Sequence, residues 1–292
     1  MSTGTAEMDD HDLQAANLQH ASGQDHDLLA DLHRLFADGD SGRTLSVPLP
    51  PGCVVWPDPG YRQHVPPRRP AFWVSDEPVH SGLWADLRAE HARSGLWPML
   101  LDDSTQPWSA GQIAPEPVTD IDTYDAGAFM AEVWAERAAA DDDFADLEPY
   151  GQICPGLAPP GDPVDDPDVA ADRHVRGLGD RGTPLGLAAA ARGADVLTVM
   201  GWQGAINHNQ WIAPLSAVLR SWEDRFGVRV IGVGFDTLEI SVAAPPVTAR
   251  HALHVAAEHW AFCPDNILQG PGTLMDYATH IRGKTSWSFW WD

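Results

Sequence analysis

Residues 221–244 read SWEDRFGVRVIGVGFDTLEISVAA, and the fold of the chain is decided there. SWEDRF ends a helix and Gly227 stops it, because glycine accepts the left-handed backbone of a helix terminus. Val228–Phe235 then reads as a strand, Asp236-Thr237 as a turn, and Leu238–Ala243 as a returning strand. Upstream, Trp211, Leu215, Val218, Leu219, Trp222 and Phe226 fall on one apolar helical stripe, with Pro214 suited to the first turn.

The flanks extend this unit. Asp195–Trp202 (DVLTVMGW) is an almost continuous apolar run and predicts a central strand buried on both faces. Downstream, Pro245-Pro246 ends the sheet run, and a helix is expected over 247–262 with Ala249, Leu253, Ala256, Ala257 and Trp260 inward. A short helix, Leu274–Ile281, precedes a last strand, Ser286–Asp292. In that strand Trp287, Phe289 and Trp291 should face one way, and Ser286, Ser288 and Trp290 the other. The order β-α-β-β-α-(α)-β is that of a ferredoxin-like split βαβ with one added helix. An α+β protein with a C-terminal two-layer sandwich over 194–292 is expected. The Gly-x-Gly of VGVGF precedes no helix, so it is not a dinucleotide fingerprint.

The rest of the chain divides by composition. Residues 1–24 are polar and expected to be mobile. Over 25–148 the sequence predicts a smaller acidic α+β region. Its elements are a helix carrying Leu28, Leu29, Leu32, Leu35 and Phe36, short strands at CVVW, AFWVS and LWPMLL, a helix over Ser81–Arg93 capped by Ser81, and a helix capped by Asp125. Residues 149–193, rich in Pro, Gly and Asp, read as a surface connector with one helical turn near Val169–Val175. The DPVDDPD run lacks the spacing of a calcium loop and reads as a solvated linker.

The net charge is −24, from 42 acidic and 18 basic residues among 292. From Gly193 onward there are 9 acidic and 6 basic residues, so residues 1–192 hold 33 and 12. That excess repels phosphate backbones, which argues against nucleic acid and admits a basic protein partner. Solubility is the plainer reading of the same acidity. With three separated cysteines and no CxxC pair, no membrane-length apolar window and no signal-like N-terminus, the protein is expected in the cytoplasm, away from membranes.

GWQGAINH, AVLRSWEDRFGVRVIGVGFDTLEISVAAPP, HALHVAAEHWAFCPDNILQGPGTL and WSFWWD together resemble a bacterial, chiefly actinomycete, family known as domain of unknown function 4253. The resemblance is dense over 195–292. LPPG, WVSD, GLWPMLL, PGLAP and DPDVAAD upstream are similar in the same way, so the connector belongs to a regular architecture. The resemblance implies no reaction and no catalytic residues.

Several chemistry-bearing residues stand out by their own patterns. The loop 201–209 enters a helix N-terminus, where Gly201, Trp202, Asn207 and His208 are candidate ligand or anion contacts. His208 as a general base needs an orienting carboxylate, Asp236 or Asp265. His251, His254 and Glu258 share one face of helix 247–262 and are a weak candidate metal set, with a merely polar exposed face favoured. Cys263 with His259 suggests a nucleophile pair, but a helix C-terminus is the wrong end for a low thiol pKa, so a buried structural cysteine is favoured. Trp290 is a candidate binding aromatic. No cofactor is implied. The favoured expectation is a non-enzymatic protein-interaction or binding module, an immunity or neutralising protein being one form. The alternative is a small-molecule hydrolase or transferase with its site between loop 201–209 and turn 263–266.

Overall fold

The computed structural model describes residues 28–36, 43–61, 68–102, 107–140, 145–180 and 182–292; the expected mobile segment 1–24 lies outside them. The N-terminal part gives α1 (Leu28–Leu35), β1 (Gly52–Val55), β2 (Phe72–Ser75), α2 (Ser81–Ala89), α3 (His91–Ser94), β3 (Leu96–Leu101), α4 (Val118–Ile121) and α5 (Ala126–Ala140). Asp125 caps α5, accepting from the Ala128 amide at 2.8 Å. The cap of α2 is His80, whose Nδ1 accepts from the Leu83 amide; Ser81 instead donates its amide to Asp180.

The stretch 149–193 is more than a connector. It supplies α6 (Pro167–Leu178) and β4 (Leu185–Ala189). Asp166 caps α6 and Pro167 fills its first turn. Two further acids of the run hold guanidinium groups, Asp168 pairing with Arg88 and Arg229 and Asp165 with Arg173, and beyond the run Asp172 pairs with Arg88. Asp165, Asp166 and Asp168 are thus pairing and capping groups and not part of a solvated linker, while Asp162 is exposed.

Beyond β4 come α7 (Val196–Met200), α8 (Ala213–Phe226), β5 (Val228–Val233), β6 (Thr237–Val242), α9 (Ala249–Phe262), α10 (Asp265–Leu268), α11 (Leu274–Ile281) and β7 (Ser286–Trp290). The helix-turn-hairpin read from residues 221–244 is present, with Gly227 at φ 59° ending α8. The expected strand over Asp195–Trp202 is instead a 3₁₀ turn followed by α7. An unbroken apolar run serves a fully buried helix as well as a buried strand, and every residue from Gly193 to Gln203 is buried. Trp211 precedes α8 and is exposed, so the stripe begins at Leu215.

The protein is α+β, with a mixed seven-stranded sheet in the order β1-β2-β4-β3-β5-β6-β7. Neighbours are antiparallel except β3 and β5, which run parallel. This departs from the two-layer ferredoxin-like order in two ways. β4 reaches β5 only through β3, a strand from the N-terminal part. Helices also cover both faces. On one, Trp97, Met99, Val230, Ile240, Trp287, Phe289 and Trp291 pack with residues of α5, α8, α9 and α11. On the other, Trp73, Leu185, Leu187 and Ile231 pack with Leu32 and Leu35, Leu83, Trp84 and Leu87, and Ala171 and Val175. A sheet buried on both sides needs strands with apolar residues on both faces, as LWPMLL and VRVIGV provide.

Candidate functional site

The two segments singled out in the sequence, loop 201–209 and turn 263–266, do meet. Backbone bonds from His208 and Asn209 to the Ala205 carbonyl wind the loop into a turn. The His208 ring then lies between α5 and α10: Nε2 is 2.9 Å from an Asp265 carboxylate oxygen, and Nδ1 is 3.3 Å from an Arg137 guanidinium nitrogen. Arginine only donates, so Nδ1 accepts, and the ring proton on Nε2 goes to Asp265. Both ring nitrogens of a neutral imidazole are thereby used. Asp265 also accepts from the Asp292 amide at 3.0 Å and from Gln269. Arg137 stands over the Trp260 ring, and burial lowers its pKa from the ordinary value, with the Asp265 carboxylate opposing the shift.

The same turn holds the last strand. Asn266 accepts from the Trp290 amide at 3.0 Å and donates to the Ser288 carbonyl at 2.6 Å. One side-chain amide thus occupies two backbone groups on the outer edge of β7, closing an edge that otherwise invites another chain. The Cys263 thiol donates to the Trp290 carbonyl at 2.9 Å, and burial pushes its pKa up to about 12. A thiol so held is not a nucleophile at neutral pH. His259 offers it no imidazole partner in kind: the His259 Nδ1 is 3.1 Å from the Tyr277 hydroxyl, and complete burial pushes its pKa down to about 3.

The other sequence candidates separate. Gly201, at φ 70°, ends α7, and a side chain there would strike the Ala114-Pro115 backbone. Trp202 is buried, donating to the Gly234 carbonyl at 2.9 Å and meeting Trp291 edge-on. Neither offers surface to a ligand. Asn207 is exposed and donates to the Asp292 carbonyl. Asp236, half-buried in the β5–β6 turn, accepts from the Trp291 amide through its main-chain oxygen.

The polar face of α9 is a correction. It does not look into solvent, because residues 156–159 lie over it. His251 and His254 bond the Pro159 and Gly156 carbonyls, at 2.8 and 3.1 Å. Glu258 is 2 % exposed and is held by both nitrogens of the Arg225 fork, by Trp222 Nε1 and by the Ala158 amide. With its carboxylate so occupied, Glu258 cannot complete a metal set with the two histidines. Among the described residues no group of three or more His, Cys, Asp or Glu is arranged to hold a metal ion.

The opposite face of the β6–β7 end is more open. Glu239 on β6 meets His174 of α6 at 2.8 Å. Beside this pair, at the ends of β3 and β5, is a cleft of about 290 Å³ bordered by Ser81, Asp102, Thr183, Thr237, Glu239 and Ser288. Trp290, 37 % exposed, stands opposite Thr237 in the strand register. Arg137, His174, Glu239 and Asp102 were not found from sequence. Arg137 and His208 are 71 residues apart in the chain and His174 and Glu239 are 65 apart, and no local spacing marks them. The signal that existed was Glu239 as a lone acid at an outward strand position.

Residues 184–292 match the family model described as Domain of unknown function (DUF4253). The match starts just ahead of β4, upstream of the dense resemblance at 195. No curated protein and no solved structure matches the chain.

Proposed function

We propose that this chain is a non-enzymatic binding protein whose partner is a basic protein, an immunity or neutralising role being one concrete form. The observation that carries this reading is how the charges are arranged. Arg88, Arg192, Arg220, Arg225 and Arg229 turn onto carboxylates of the fold itself, with side chains a third exposed or less. Exposed acids such as Asp76, Glu77, Glu132, Glu136 and Glu148 are left outward on a chain of net charge −24. Such a surface draws cationic partners and speeds their encounter, in a salt-dependent way. Affinity purification from the native host, with the cytoplasm as the compartment sampled, should recover a basic protein in stoichiometric amount at low salt, released by salt. Recovery of the chain alone at low salt rejects the reading. No helix among the described residues is long and apolar enough to cross a membrane.

The hydrolase or transferase reading is favoured by one observation, the 2.9 Å approach of His208 to Asp265. Against it, both imidazole nitrogens are engaged and the carboxylate also anchors Asp292. It requires His208→Ala to abolish a turnover that the parent protein has on ester or phosphoester substrates. The binding reading has that variant change stability and leave partner capture intact.

A further inference from the structure

We infer that the cleft at the ends of β3, β5 and β6 receives an arginine side chain of the basic partner, an inference that rests on the binding reading above. Its border carries Glu239, the hydroxyl-bearing Ser81, Thr183, Thr237 and Ser288, and Asp102, which already has a partner of its own; no Arg or Lys lies among its described lining residues. That is a set of acceptors with negative charge. A guanidinium is the complementary group, with five donors in a rigid planar fork and no acceptor of its own.

Two further features point the same way. Elsewhere in the fold, Glu223 and Glu258 face guanidinium groups, while the Glu239 carboxylate meets an imidazole, His174, at 2.8 Å. Its charge is therefore not matched there by a fixed cation. Trp290 lies opposite Thr237, and Ser288 opposite Glu239, so strand alternation puts the indole on the same side of the sheet as these residues. Phe235, 58 % exposed, stands in the adjoining turn. An exposed indole on the same side of the sheet as Glu239 suits a guanidinium, which stacks on the ring while its N–H groups reach that carboxylate.

The test is calorimetric titration of the full chain, at about 50 mM salt, with a hexa-arginine peptide and with the matching hexa-citrulline peptide. Hexa-arginine should bind, Glu239→Gln should weaken it about tenfold and Trp290→Ala several-fold. Replacing the exposed pair Glu132 and Glu136 on α5 by glutamine removes twice the charge and should change binding less than twofold. Equal loss in that double variant would mean diffuse attraction and would overturn the assignment, as would equal binding of hexa-citrulline. Trp290 is exposed, so its variant tests the cleft even if Glu239→Gln proves unstable. A native basic partner that binds both variants as tightly as the parent would remove the cleft from the interface while leaving the binding reading intact.

Discussion

The two faces of the antiparallel β6–β7 strand pair are built by alternating residues of the same strands and have opposite fates. On one face Trp287, Phe289 and Trp291 are buried with Trp222, whose ring stacks on Phe289 at 5.5 Å and 15°. His259 sits among Trp222, Trp287, Phe289 and Tyr277 at centroid distances of 4.4 to 5.7 Å. On the other face Ser288 and Trp290 remain exposed, and Glu239 and His174 border open space. Alternation along a strand puts a sealed face and an open face within single residues of each other. The lesson concerns the polar groups as well. Those on the closed side, Glu258, Asp265, Asn266 and Cys263, look chemical in sequence and serve to anchor chain segments. Those on the open side, Glu239 among them, look ordinary in sequence and face a cleft.

The most severe way to break this contrast is to remove the strand between the halves. Residues 184–292 expressed alone lack β3, so β4 and β5 lose their common neighbour and their inner edges are bare. The fragment should show no cooperative unfolding transition in urea, where the full chain shows one; a fragment with its own sharp transition would mean that β3 is dispensable. Next come single side chains. Trp222→Ala, on the closed face, should cost about 3–5 kcal/mol in denaturant unfolding. Trp290→Ala, on the open face, should stay within about 0.5 kcal/mol. Similar values for the two would erase the distinction between the faces.

Acid sharpens the comparison further. The pKa of His259 is about 3 in the folded chain, below its ordinary value of 6.5, so its contribution is fully present above pH 6.5 and is lost as pH falls toward 3. Between those values the unfolded chain binds the extra proton, and stability should fall by about 2 kcal/mol from this group by pH 5. His259→Phe should flatten that part of the stability-versus-pH curve, measured as the difference between variant and parent. The smallest effect is chemical. Cys263 should resist a thiol reagent in the native protein and react on unfolding, followed by mass mapping of the labelled peptide. Rapid labelling of native Cys263 would contradict the thiol's burial and its bond to the Trp290 carbonyl.

Much of the local structure was legible. Apolar spacing placed α8, α9 and α11, and alternation assigned Trp287, Phe289 and Trp291 to the core and Trp290 to the surface. Periodicity failed at Asp195–Trp202, where a run apolar at every position has no period to read. Local pattern also misread Asp165, Asp166 and Asp168 of the DPVDDPD run and the face of α9. Whether a carboxylate on a helix meets water or an arginine depends on what lies across from it, and Arg88, Arg225 and Arg229 come from distant parts of the chain. The approach of His208 to Asp265 was conceivable from sequence as a conditional. That Arg137 occupies the other ring nitrogen was not.

By itself the sequence determined the elements around SWEDRFGVRVIGVGFDTLEISVAA, the acidic balance of the chain and the family that residues 184–292 match. These depend on local backbone preference, side-chain periodicity and composition, all of which are written in consecutive residues. Only the tertiary structure decided that β3 enters between β4 and β5, that helices cover both faces, and that Glu239 borders an open cleft while Glu258 is sealed. Strand pairing and burial are set by the summed packing of residues far apart in the chain, and no single stretch contains that sum.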